Sequence, residues 1–173
     1  MKRLRHLLLW AVLLFPSVLL QAGEPEDPNV FGSKEAGTTG LIGIIYDLKQ
    51  NQKREPSGVV PDVYGGIIHE FLAKDWDESV LNRYFRAAQP LYTTQIFIPM
   101  MSAGAAPKAF GMEKIIKPSA WVVHYKGQVS PPEDGTYRFM CYSDDMIAVG
   151  INGRTVCQGS RRDIPLEIGR AHV

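Results

Sequence analysis

The stretch Gly135-Thr-Tyr-Arg-Phe-Met-Cys-Tyr-Ser-Asp-Asp-Met-Ile-Ala-Val-Gly-Ile-Asn-Gly-Arg-Thr-Val156 decides the fold. It reads as three consecutive antiparallel strands. Tyr137 to Tyr142 is an aromatic-rich run. Ser143-Asp144-Asp145 interrupts it, because short polar side chains bond back to local backbone and favour turns. Ile147 to Ile151 carries β-branched residues that suit a pleated surface. Asn152-Gly153 then sits between two apolar runs, the strongest short hairpin signal, since a type I′ turn needs positive φ at both central residues. Val156 lies in the third run.

The rest of the chain falls into place around that stretch. Leu41 to Leu48 is the first strand candidate, and Lys49 to Pro61 reads as loop. Tyr64, Ile67, Ile68, Phe71 and Leu72 follow helical spacing and form one apolar face. Asp75 with Glu78 has the form of a capping box for a second helix, whose apolar face would be Val80, Leu81, Tyr84 and Phe85 and which Pro90 would end. Leu91 to Ile98 is a strand candidate. Met100 to Pro118 reads as a long irregular loop, and Trp121 to Val129 as another strand. Short strands separated by turn signals indicate a mainly β fold, an antiparallel sandwich or barrel, here with a short helical hairpin inserted.

Gly127-Gln-Val-Ser-Pro-Pro-Glu-Asp-Gly-Thr-Tyr-Arg-Phe, Ser143-Asp-Asp and Ile151-Asn-Gly-Arg-Thr-Val156 together resemble the signature of the protective-antigen-like ("PA-fourteen") domain family. Upstream, Gly40-Leu-Ile-Gly43 and Tyr46 resemble the opening strand of that family. The helical insert is not part of the family pattern. The resemblance implies a two-sheet β-sandwich and, from its sugar-binding members, a pair of adjacent aspartates that hold Ca²⁺, which in turn holds sugar hydroxyls. It therefore implies Asp144 and Asp145 as calcium ligands, with carbohydrate as the partner. Met146 stands where the family usually has Gly. The plainer alternative is that the two aspartates end a strand and cap a turn.

Composition bounds the rest. At 45% hydrophobic and 21% charged, the chain is ordinary for one globular domain. A net charge of +1 makes no electrostatic case for nucleic acid or an anionic membrane. Residues 1–22 read as a signal peptide: Lys2, Arg3 and Arg5 precede an apolar run from Leu7 to Leu20, with cleavage expected after Ala22. An exported protein, periplasmic or extracellular, follows, with no membrane contact beyond that peptide. Residues 23–39 read as linker and 40–166 as the domain. Glu167 to Val173 spells the translation of a common sequencing adapter, so the expectation is a natural chain that continues beyond Leu166 with the domain incomplete here.

Signals for catalysis are thin. The chain has no Gly-x-Ser-x-Gly elbow, no His-Glu-x-x-His and no phosphate-cradling loop entering a helix. His69 and His124 lack partners at ligand spacing and read as structural. Asp75-Trp76-Asp77-Glu78 reads as helix caps around an exposed tryptophan. If Cys141 and Cys157 both lay opposite Ala148, on strands flanking the central one, about 9–10 Å would separate them. A disulfide needs Cα atoms within about 7 Å, so two free thiols are expected. The sequence thus points to a non-catalytic carbohydrate-binding module. The alternatives are a structural or adhesive module of the cell envelope that binds a protein, and an accessory domain of a larger secreted enzyme. Trp76, Tyr92, Trp121 or Tyr125 would supply an aromatic platform if exposed.

Overall fold

The computed structural model describes residues 29–37, 40–60, 63–139, 141, 143, 145–160 and 169–172. The expected signal peptide, much of the linker and Asp144 lie outside the described residues.

The axis of the main sheet is β1, Leu41–Asp47. Strand β4, Trp121–Lys126, pairs antiparallel along one edge of it, from Ile42↔Lys126 to Asp47↔Trp121. Two short strands share the opposite edge. Phe85–Arg86 (β2) takes one end through Tyr46↔Arg86, and Leu91–Thr93 (β3) takes the other through Gly43↔Leu91. Both faces of β1 are covered, which explains its continuous apolar run in place of alternation. Ile45 faces a cluster with Phe31, Ala87, Leu91, Ala106, Phe110 and Ile116. Ile44 and Tyr46 face the other way, with Leu48, Phe71, Val80 and Leu81. Gly43 has no side chain because the Tyr125 ring lies over its backbone, and the Tyr125 hydroxyl donates to the Phe31 carbonyl at 2.8 Å.

The far end of β1 is tied down by charge. Asp47 is buried, and such a carboxylate must be paired. Lys49 lies 2.6 Å from it, and the Gln50 amide donates to it at 2.7 Å. Lys49 also donates to the carbonyls of Lys117 and Ser119, which fastens the strand end to the loop before β4.

The first helix, α1, spans Tyr64–Ala73 and buries the apolar face read from the sequence. A second α-helix does not form after it. Asp75 and Trp76 have φ of 54° and 64°, so the chain turns left-handed where a capping box needs an extended cap. Asp77 organises the turn instead. It accepts from the Ser79 hydroxyl at 2.7 Å and the Ser79 amide at 2.9 Å, and these bonds hold its carboxyl below the usual range. Only a 3-10 turn, Leu81–Arg83, follows before β2. The expected strand from Leu91 stops at Thr93, where β1 has no further residues to pair. The expected irregular loop after Met100 contains a helix, α2 (Ala105–Ala109), whose Ala106 and Pro107 are buried.

The hairpin read from Asn152-Gly153 is present. Strands β6 (Met146–Ile151) and β7 (Arg154–Ser160) pair antiparallel, and the turn has φ of 51° at Asn152 and 78° at Gly153. The pairing shifts between Val149↔Cys157 and Gly150↔Thr155, so Val156 is an extra residue, a β-bulge. The first strand of the stretch differs from expectation. Thr136–Phe139 (β5) pairs with Gly169–His172 (β8), from Thr136↔His172 to Phe139↔Gly169, and not with β6 among the described residues.

The two cysteines are also corrected. Cys141 and Cys157 form a disulfide, with Cα atoms 6.6 Å apart. The expectation of free thiols assumed that both lay opposite Ala148. But β5 ends at Phe139, before Cys141, and the bulge sets Cys157 opposite Val149. Cys141 is thereby free to approach β7 directly.

Candidate functional site

Residues 142–145 join Cys141 to β6, with a bend at Asp145. The start of this segment is fixed by the disulfide to β7, with Cys141 and Cys157 both buried. Ser143 is half-buried and Asp145 is exposed. Among the described residues no cation or hydrogen-bond donor engages the Asp145 carboxylate. Met146 follows immediately. Its sulfur lies 3.9 Å from where a side chain on Gly65 would begin, in the first turn of α1. The methionine side chain thus reaches the neighbourhood of the inserted helix, which a glycine at this position could not do. The segment is thus tied at its start by a covalent bridge, and among the described residues nothing engages the Asp145 carboxylate that follows.

Could Asp145 hold a cation? Carboxylate oxygen suits Ca²⁺, which takes about 6–8 oxygens. Among the described residues no three His, Cys, Asp or Glu side chains gather at one point. Asp145 offers one carboxylate there, and Asp144 lies outside the described residues.

Beside this turn the structure builds a second feature that the sequence reading missed. Trp76, expected to be exposed, is half-buried. Its ring meets Phe71 edge-on at 5.3 Å and lies tilted to His124 at 6.1 Å. Its indole N–H donates to the Thr155 hydroxyl at 3.1 Å. A Cβ on Gly150 would stand 2.6 Å from the same ring, so the glycine is required by close approach. Trp76 therefore docks the hairpin onto α1 and the main sheet. The available signal was local: a glycine inside an apolar strand marks a bulge or a close neighbour.

His124 sits at the base of this cluster, buried and edge-on to Phe71 at 5.3 Å. Burial pushes its pKa below 6.5; the Glu78 carboxylate opposes that shift, while the Lys126 ammonium adds to it. Glu78 is 2.6 Å from Lys126. The folded protein thus binds the His124 proton less readily than the unfolded chain does. Stability carried by the neutral ring is complete above pH ~6.5 and is lost as pH falls through the folded-state pKa. Urea titrations stepped from pH 7.5 to 5 should show this loss, and His124→Gln should flatten it. An unchanged slope in the variant would assign the loss to other groups.

The other candidate aromatics are also turned to structural use. The Trp121 indole donates to the Ala103 carbonyl at 2.8 Å. Tyr92 exchanges backbone bonds with Ser33 at 2.8 Å each way. His69 is exposed on α1. The large apolar side chains that do reach solvent cluster elsewhere. Ile96, Phe97, Ile98, Met100 and Met101 are 49%, 76%, 37%, 99% and 40% exposed.

Among the described residues no helix is long and apolar enough to cross a membrane. Searches of curated proteins and of solved structures find no match. Residues 113–162, which take in β4, β5, the Asp144-Asp145 turn and the β6–β7 hairpin, match the PA14 domain family.

Proposed function

We propose that this chain is an exported, non-catalytic module that binds carbohydrate, with Ca²⁺ held at Asp144 and Asp145. The observation that carries the reading is the PA14 match across that turn. The exposed Asp145 carboxylate, which nothing among the described residues engages, supports it. When bound, the ion would supply a Lewis-acidic anchor for paired hydroxyls. The residues of the chain keep the segment in place: the disulfide ties its start, and the pairing of Met146 with Ser160 begins the hairpin that follows.

Calcium titration tests this reading. Ligand that binds only the folded state adds about 2.7 kcal/mol at 100 times Kd. Millimolar Ca²⁺ should raise the melting temperature of the chain, and Asp144→Asn with Asp145→Asn should abolish the rise. Binding to a glycan array should follow the same dependence. Equal melting curves with Ca²⁺ and with chelator would remove the metal from the proposal.

A second reading, a protein-binding module of the cell envelope, is favoured by a different observation. The apolar segment Ile96–Met101 is exposed. Soluble monomers seldom leave more than a few hundred Å² of contiguous apolar surface open, and larger patches mark interaction sites.

A further inference from the structure

The chain from Ile96 to Met101 reads Ile-Phe-Ile-Pro-Met-Met and follows β3 after a bend at Thr94, beyond the last residue that pairs with β1. It adopts no regular structure. Among the described residues, none of its backbone N–H or C=O groups is hydrogen-bonded. It is therefore an arm of near-strand composition with its backbone and its apolar side chains both unpaired. Such an edge is a template for another strand.

We propose that this arm is a self-association site, in which two copies of the chain pair their arms antiparallel about a two-fold axis at Ile98. Three observations select a second copy as the occupant. The first is charge. No residue from Ala87 to Pro107 is charged, so nothing on the arm would steer or recognise a charged partner. A two-fold pair repeats every charge of the arm on the partner arm, a few residues away and of the same sign. An uncharged arm is what that symmetry requires.

The second is Pro99, which has no N–H to give. In an extended chain the N–H groups of Ile96, Ile98 and Met100 point to one edge, and position 99 points to the other. Pairing about Ile98 through the first edge sets Ile98 against Ile98 and Ile96 against Met100, each as a hydrogen-bonded pair. It leaves Pro99 in the non-bonded pair with Phe97. The proline thus blocks one edge and leaves the other complete.

The third is area. The five apolar side chains, with Phe97 and Met100 the most open, expose on the order of 600 Å² per copy, since a large side chain carries about 150–250 Å². A two-fold pair would bury at most roughly 1,200 Å² in total, the size at which weak, transient interfaces begin. The dimer is accordingly a reversible one.

Sedimentation velocity on the exported chain tests this across a concentration series. The expected result is a monomer–dimer equilibrium that Phe97→Asp and Met100→Lys each weaken at least tenfold, with melting temperatures unchanged because both side chains are exposed. A two-fold at Ile98 adds a geometric test. Hydrogen-bonded antiparallel pairs hold Cα atoms about 5.5 Å apart, within the span a disulfide bridges. Ile98→Cys should therefore give a covalent dimer in a glutathione redox buffer. Val129→Cys, at an exposed site off the arm, should not. The proposal is overturned by a monomer at every concentration up to ~1 mM, which would leave less than about 4 kcal/mol for the contact. It is equally overturned by a dimer that ignores both arm substitutions. A chain that stays monomeric but binds phosphatidylcholine vesicles through Phe97 also overturns it, because the arm would then be a lipid contact.

Discussion

Trp76→Ala should cost the fold about 3 kcal/mol, the lower end for a large aromatic lost from a packed site. The lower end applies because the ring is half-buried. The loss has three parts. The ring leaves its edge contact with Phe71 and its tilted contact with His124. Thr155 loses its indole donor. Gly150 faces a void where the ring had lain. Against this, alanine at a position with φ of 64° relieves no strain, since any residue with a Cβ meets the same cost there. Chemical denaturation gives the size of the effect. Its location comes from hydrogen exchange: amides of β6 and β7 should lose protection more than those of β1, because the tryptophan joins the hairpin to the sheet. Equal loss in both would mean that the hairpin and the sheet unfold as one unit. Trp76→Phe should recover part of the packing and none of the hydrogen bond.

Removing the disulfide, with Cys141 and Cys157 both changed to Ala, should cost about 3 kcal/mol. The bridge spans a sequence separation of 16, and the chain-entropy estimate for a loop near that length is about that value. Changing both partners avoids leaving one buried thiol. Thermal unfolding with and without reductant should reproduce the difference between the parent and the double variant. A double variant that melts with the parent would show that the turn is held by packing alone. In a calcium experiment the same variant separates two roles of the turn. If the bridge only holds the turn in place, ion affinity falls while Asp145 remains intact.

These expectations draw on different depths of the sequence. The hairpin was legible because Asn152-Gly153 encodes its own backbone, with positive φ at both residues. The apolar faces of α1 and β1 were legible because periodicity reports burial. The second helix was misread because a capping box is a local pattern, and here a long-range contact overrides it. Trp76 gains more by turning left-handed and reaching Gly150 than by starting a helix. The disulfide was missed because its geometry depends on one extra residue, Val156, that no propensity announces. The partner of β5 proved to be Gly169–His172, a segment read as lying outside the fold. At the candidate site, Asp145 is placed and nothing among the described residues engages it, whereas Asp144 lies outside them. The first part of the open arm, Ile96 to Ile98, was read as the end of a strand, because apolar β-branched residues read the same whether or not a neighbour is present to pair with them.

The arrangement of the main sheet also sets an order in time. As the chain is synthesised, β1 emerges before every strand it pairs with. Its ladder to β4 closes only when Lys126 has arrived to meet Ile42. Until then Leu-Ile-Gly-Ile-Ile-Tyr is an uncharged, strand-forming segment with no native neighbour, the kind that joins other chains when left waiting. The strand that holds the folded molecule together is therefore its most exposed liability during assembly, and the long reach of its partnerships is the reason.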